Sequence, residues 1–502
     1  MDTKSSLFRK ADMDIIAKAT NEYQAGRLGE AERLCQEALA EDPANVSALN
    51  LLGIIASDVG RFDVGVRLLA RAISINGNNS GLYINLGNLF DRQGKSKEAE
   101  ACFRQAITLD PTYAEPYNVL ANLCGSAGRH DEAVGLYRKA IAIEPFTPKF
   151  RANLGHVIFA EGDVASAEHE FRGAINLDQN IFLAKVGLAL CLLDRGELAE
   201  GWELYEARLG TERSNSPKRY FSLPVWNGED LSGKSILVWR EEGVGDEIKF
   251  ASCLPDLVSL GGKVIFEASE RLVTLYARSF PDIEIRKENL AGGDYSGVDF
   301  QIPIGSLPKF FRREFDHFPP KAAYLKPDSE RVNFWRQRLA ELGGGRKMGI
   351  CWRSQNRSIY KNPFNASGAD LGEIFKAPGI VWINLQYDDC AIELAEIKAR
   401  YGTNLHIWPD LDLKNDFENV AALIAVLDGV VGARTTVAAL AGALGTPVLM
   451  YATTPNVLAL GRVNDPWFPD TRVFTRQRDE DWTGVMREIR HHLCQISPPG
   501  DS

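Results

Sequence analysis

Three short stretches of this chain hold polar side chains where chemistry is possible. In "WREEGVGDEIKF" (239–250) the carboxylates Glu242, Asp246 and Glu247 surround Gly243 and Gly245, directly after the apolar run "SILVW" (235–239). Glycine lets the backbone approach a ligand closely. A carboxylate at the carboxyl end of a strand can act as a general base toward an attacking hydroxyl. Asp246 can equally do no more than cap the next helix. In "GICWRSQNRSIYKN" (349–362), Arg353, Arg357 and Lys361 follow an apolar run, with Ser354, Gln355 and Asn356 among them. Such a cluster suits a diphosphate or another anion, since arginine's planar fork matches phosphate oxygens; it also fits a solvated charged loop. In "GVVGARTTVAALAGALGTP" (429–447), Arg434, Thr435 and Thr436 open a helix of small residues. A helix N-terminus with free N–H groups is an anion site. Tight packing accounts for the alanines and glycines there, but not for Arg434.

The elements that must position these loops are short apolar runs alternating with amphipathic stretches. "SILVW", "KVIFEA" (263–268), "IEIR" (283–286) and "DFQIPI" (299–304) read as one set of strands. "MGICW" (348–352), "IVWINLQ" (380–386), "NLHIWP" (404–409), "GVVGA" (429–433) and "PVLMY" (447–451) read as a second. Strands alternating with helices build parallel sheets. Two sets in tandem predict two Rossmann-like lobes facing across a cleft, with ligands at the carboxyl ends of the strands.

The first part of the chain has another rhythm. Glycine recurs at 26, 60, 94, 128, 162 and 196, a step of 34 residues. Alanine follows in phase at 38, 72, 106, 140 and 174, and again at 31, 99, 133 and 167, while proline closes the unit at 43, 111 and 145. Small residues suit close helix crossings, glycine the turn, and proline the helix end. This is the period of stacked helix–turn–helix units, the tetratricopeptide repeat. Six such repeats over 12–210 predict an α solenoid, a surface that typically holds another protein. Asn85 and Asn153 share one repeat position, Asn88 and Asn122 a second, and Asn50 and Asn118 a third. Carboxamides both donate and accept, so a ladder of them could hold a peptide backbone with little demand on its sequence. The sixth repeat, "GELAEGWELYEARL" (196–209), drifts from the pattern with Gly201, Trp202, Tyr205 and Arg208, as a terminal repeat does when it docks onto the next domain. Residues 211–234 read as a connector, 235–345 as the first lobe and 346–494 as the second.

Bulk properties exclude several classes. The 502 residues are too many for one domain, and the net charge of −10 argues against general nucleic-acid binding. The eight cysteines form no CxxC pair, so neither a zinc site nor a redox dithiol is indicated, and free thiols suit a reducing compartment. The N-terminal "MDTKSSLFRKADMD" lacks an apolar secretion segment, and no stretch has the length and apolarity of a membrane span, which points to the cytoplasm.

The order "EEGVGD" (241–246), "GICWRS" (349–354), "NLQ" (384–386), "DFENVAALIAVLDGVV" (416–431), "TVAALAGALGTPV" (436–448) and "PWFP" (466–469) carries a resemblance. It looks like a bacterial family of tetratricopeptide-repeat proteins with a heptosyltransferase-like glycosyltransferase domain, and the layout is similar to O-GlcNAc transferase. The resemblance implies a GT-B fold: an acceptor-side lobe, a donor-side lobe, and inverting transfer of sugar from a nucleotide-sugar without a metal or other cofactor. It matches the family's catalytic Gly-Asp to Gly245-Asp246, with Glu242 and Glu247 as reserves. It places Gly243, Gly245, Arg353, Ser354, Arg357, Lys361, Gln386, Arg434, Thr435 and Thr436 around the donor. The chain departs from the family's Asp-Thr-x-x-x-His, having Arg434-Thr435 and then Ala439. The forms "GICWRS" and "ARTTVAALAGALG" look closest to flagellin-modifying transferases, whose repeats hold flagellin and whose donors are nucleotide-linked nonulosonic acids. The expected activity is protein glycosylation on Ser or Thr. Two readings stand beside it: a non-catalytic scaffold with a degenerate transferase fold, favoured by Arg434 and Ala439, and a transferase acting on lipid or polysaccharide.

Overall fold

The computed structural model describes residues 15–210, 219, 221–241, 243–290, 292–320, 323–354, 365–477 and 480–495. The chain divides into two compact units, one of residues 1–157 with 173–179, the other of 158–172 with 180–502.

The repeats are helix pairs: α1 (15–24) with α2 (Leu28–Glu41), α3 (Val46–Asp58) with α4 (Phe62–Ile75), and α5 (Ser80–Arg92) with α6 (Ser96–Leu109). They continue with α7 (Ala114–Ser126) and α8 (His130–Ile143), α9 (Pro148–Glu161) and α10 (Val164–Leu177), and α11 (Phe182–Arg195) and α12 (Leu198–Tyr205). The six periodic glycines all adopt φ between 72° and 97°, the left-handed region that ends one helix and turns the chain into the next. Every alanine of the two periodic series is fully buried. Close crossing is enforced at Gly87, where an added Cβ would stand 2.4 Å from the Phe103 ring. Neighbouring repeats are also tied by ion pairs, Arg61–Glu32 at 2.8 Å and Arg129–Glu100 at 2.7 Å.

The second unit holds two parallel sheets. The first contains β1 (Ser235–Trp239), β2 (Lys263–Ala268), β3 (Glu284–Lys287) and β4 (Phe300–Pro303) in the order β3-β2-β1-β4. Its helices are α13 (Val244–Ala251), α14 (Leu254–Val258), α15 (Val273–Ser279) and α16 (Pro308–Phe311), and α17 (Ser329–Ala340) leads to the second sheet. There β5 (Arg346–Cys351), β6 (Ile380–Asn384), β7 (Leu405–His406), β8 (Gly429–Ala433), β9 (Val448–Thr453) and β10 (Thr471–Arg476) take the order β10-β9-β8-β5-β6-β7. α18 (Ala391–Tyr401), α19 (Phe417–Ile424), α20 (Thr436–Leu444) and α21 (Thr483–Gln495) pack around it. β1, β5, β6, β8 and β9 are buried along their whole length, which is why they read mainly as apolar runs; β5 starts two residues before the run expected from sequence, with Arg346 and Lys347 buried. β10 is absent from the strands expected from sequence: it lies at the sheet edge, exposes Arg472 and Thr475, and carries a buried Arg476, so it has no continuous apolar run.

Strand order reverses between β1 and β4 in one sheet and between β5 and β8 in the other. Such a reversal leaves a crevice at the carboxyl ends, because the connections leave in opposite directions. α13 springs from β1 and α20 from β8, and the two helix starts meet. A Cβ on Gly245 would stand 3.6 Å from Thr436 Cα. The sixth repeat belongs to this unit. The Trp202 indole N–H donates to the Arg312 carbonyl at 3.0 Å, and Trp202 lies edge-on to Phe250 and Trp467. Arg208 is buried against Glu241 and donates to Ser306 Oγ at 2.9 Å.

Candidate functional site

The crevices of the two sheets open into one cavity of about 450 Å³. After β1 it receives Gly243, Gly245 and Asp246; after β5, Ser354; after β8, Arg434, Thr435 and Thr436. All three loops singled out in the sequence thus contribute to it. α13 starts at Gly243, which has no side chain to cap it, and Asp246 lies in its first turn. α20 has Thr435 at its cap, carries no acidic side chain in its first turn, and presents Thr436 to the cavity. Its partial positive end and Arg434 therefore favour an anion. The Ser354 amide donates to Asn365 Oδ1 at 3.0 Å, which holds the turn after β5 in place.

Two further charged groups line the cavity, Lys249 from α13 and Asp465 from the segment between β9 and β10. Burial pushes the Asp465 carboxyl up to about 6, with Lys249, the Trp467 amide and Arg434 opposing. Burial likewise pulls Lys249 and Arg434 below their ordinary values, and Asp465 and Asp246 work against it at both. A second cavity of about 620 Å³ shares Gly243, Val244, Ser354, Tyr387 and Thr436 with the first, and adds Phe417, Val437 and Leu440 under a rim with Arg240, Arg271 and Lys414. Among the described residues no group of three or more His, Cys, Asp or Glu is placed to hold a metal ion. No described helix is long and apolar enough to cross a membrane.

Several expected site residues lie elsewhere. Glu247 points away from the cavity, fully buried, accepting from the Ser269 amide at 3.0 Å and facing Arg240 at 3.0 Å. Arg353 does not face the cavity: Asp388 at 2.8 Å and Glu393 clamp its guanidinium, so its charge is already matched. Gln386 is 1% exposed and works as a brace, accepting from the Trp352 and Arg353 amides at 2.9 and 3.1 Å and donating to the Arg353 carbonyl at 3.0 Å. It shapes the loop that bears Ser354. Glu242, Arg357 and Lys361 lie outside the described residues. Sequence reasoning misses Lys249, Asp465 and Tyr387. Lys249 looks like the polar face of an amphipathic helix, and only its helical i,i+3 spacing from Asp246 hints at a shared face.

In the repeats the asparagines do not form an open ladder. Asn85 donates to Asn50 at 2.8 Å and Asn153 to Asn118 at 2.9 Å, joining alternate pairs of repeats. The helices stack at a spacing that brings these amides together, so part of their capacity is spent between repeats. Asn122 accepts from the Tyr137 hydroxyl at 2.5 Å yet remains exposed, as does Asn88.

Family models for the tetratricopeptide repeat match residues 16–80, 81–113 and 114–147, so this region is a tetratricopeptide-repeat solenoid. Such repeats commonly bind partner proteins. The chain is similar to Protein FlbA of Caulobacter vibrioides, 32% identical over 361 residues, which is 68% of this chain and 59% of that protein. The chain therefore spans less than two thirds of that relative's length. It is also 31% identical to human Tetratricopeptide repeat protein 7B over 78 residues, 16% of this chain and 9% of that protein. Among solved structures it is similar to MamA, at 25% identity over 32% of this chain and 94% of that one, with a TM-score of 0.29. Yeast Tom70 matches at 22% identity over 37% of this chain and 40% of that one, with a TM-score of 0.33.

Proposed function

We propose that the protein is a glycosyltransferase with a GT-B fold, in which the repeats recruit an acceptor protein and the cleft transfers sugar from a nucleotide-sugar to Ser or Thr. The observation that carries this reading is the convergence, in one cavity, of Asp246 after β1 with Arg434, Thr435 and Thr436 after β8. Transfer needs a base on the acceptor side and positive charge against the leaving phosphate. Asp246 has the position for the first task. Arg434 and the start of α20 suit the second. Arg434 stands where the family pattern has an acid, and in this reading it neutralises the donor phosphate directly. The resemblance to flagellin-modifying transferases makes flagellin the acceptor to try first and a nucleotide-linked acidic sugar the donor.

A scaffold without transferase activity is the second reading. It is favoured by Ala439, which lines the cavity where the family pattern has histidine. Thermal shift of the full chain against UDP-, GDP-, ADP- and CMP-sugars separates the two, since a ligand stabilises only the fold that binds it. Stabilisation by one donor, followed by sugar transfer to an acceptor protein, supports the enzyme. No shift with any donor and no transfer supports the scaffold.

A further inference from the structure

Lys249 and Asp465 are the two charges lining the 450 Å³ cavity that the transferase reading leaves without a task. Lys249 is 5% exposed, on the same helix as Asp246. Its ammonium stands over the Trp467 ring, 5.5 Å from the centroid. Asp465 is 2% exposed and anchored by the backbone: its amide donates to the Thr471 carbonyl at 2.9 Å, and its carboxylate accepts from the Trp467 amide at 2.9 Å. Charged groups from different elements act on Lys249: Asp246 from α13 itself, Asp465 from the segment after β9, and Arg434 from the turn after β8. An ammonium taken out of water is costly to keep charged unless a carboxylate accompanies it. Asp465 is the carboxylate with the largest effect on it. Both residues line the same cavity as Arg434 and the start of α20.

We propose that Lys249 is a second cation, beside Arg434, that meets a phosphate group in this cleft, and that Asp465 is the positioning residue that keeps it charged. The phosphate's source rests on the transferase reading, which makes it part of a nucleotide. The phosphate site itself does not depend on that reading. Two cations and a helix N-terminus then converge on one anion, and Asp465 prevents Lys249 from losing its proton when the cleft is dry.

The test is calorimetric titration of the full chain with inorganic pyrophosphate, and separately with UDP, GDP, ADP and CMP, from pH 6 to pH 9. Lys249→Met should bind at least about tenfold more weakly than the parent, the worth of one charge-assisted hydrogen bond. Lys249→Arg keeps the charge and should retain most of the affinity. Asp465→Asn should bind as the parent does at pH 6 and progressively worse toward pH 9, because Lys249 then loses its proton at lower pH. A purely structural role for Asp465 would not move that profile. Circular dichroism and melting check each variant, and the Asp465→Asn profile decides the matter if Lys249→Met does not fold. Parental affinity in Lys249→Met, a parental pH profile in Asp465→Asn, or a parent that binds neither pyrophosphate nor nucleotide overturns the proposal. Lys249-dependent binding of pyrophosphate without binding of any nucleotide supports the phosphate site and counts against the transferase. Nucleotide binding untouched by Lys249→Met does the reverse.

Discussion

At the residue scale, the proposed function gives the cavity's side chains separate tasks. Asp246→Asn keeps the shape of the carboxylate and removes its basicity. Turnover should fall by roughly 10²–10⁴-fold with nucleotide affinity retained, as measured by transfer assay and calorimetry. Arg434→Ala should weaken nucleotide binding by about tenfold; parental affinity would place Arg434 outside the anion site. Arg353 gives the contrasting case, since its guanidinium is clamped by Asp388 and Glu393. Arg353→Met should cost roughly 3 kcal/mol of stability by taking the cation from those carboxylates, which keep the Gln386 amide and the Gly368 N–H as donors, without a direct loss of phosphate contact. Glu247 offers a pH test. Burial, opposed by Arg240, pushes its carboxyl up to about 7 in the folded protein. The folded value lies above the unfolded one, so the stabilising proton is fully present below the unfolded value near 4.5 and lost as pH rises through about 7. Parental stability should therefore decline across that window relative to Glu247→Gln, by on the order of 1–3 kcal/mol, read as melting temperature against pH.

At the scale of elements, the site depends on how closely α20 and β8 approach their neighbours. A Cβ on Gly432 would stand 2.8 Å from the Cys351 carbonyl, and one on Gly442 would stand 2.5 Å from the Phe468 ring. The first clash is with backbone, which cannot rotate away. Gly432→Ala should therefore push β8 from β5 at the strand ends that carry Arg434 and Ser354. An overpacking cost of about 1–3 kcal/mol is expected, with nucleotide affinity falling alongside it; a parental melting temperature would show that the strands have slack. The solenoid follows different rules. Asn50, Asn85, Asn118 and Asn153 bond between repeats, so these four contribute to stacking before they contribute to any peptide contact.

At the scale of the molecule, the sixth repeat is built into the α/β half. Trp202 packs against Phe250 and Trp467, and Arg208 is buried with Glu241. A fragment of residues 158–502 keeps every residue of this unit, α11 and α12 included, and should unfold cooperatively. A fragment of 211–502 loses Trp202 and leaves Glu241 buried without Arg208. It should melt much lower or fail to fold, as judged by calorimetry. Equal melting of the two fragments would mean that the sixth repeat is dispensable. The cut suggested by the repeat period alone, after residue 210, falls within what the structure treats as a single unit.

The period of 34 residues and its glycines were legible without a structure, because a left-handed turn and a close helix crossing are local demands that only small residues meet. β1, β2 and β8 were legible to the residue: β1 and β8 because strands buried on both faces are largely apolar, β2 because its central Val264, Ile265 and Phe266 form an apolar run between Lys263 and Glu267. The loops at their carboxyl ends followed from that alternation. Which charges enter the cleft was decided by long-range geometry. On α13, Asp246 and Lys249 are three residues apart and share a face, whereas Glu247, one residue from Asp246, is turned about 100° away into the contact with Arg240 and Ser269. The sequence specifies that these faces differ, but not which of them the second sheet will cover. The same holds for Arg353, a phosphate ligand by its place in the loop until Asp388 and Glu393, 35 and 40 residues further on, are folded against it. Asp465 becomes a cleft residue only because the segment between β9 and β10 returns to the cavity beside α13.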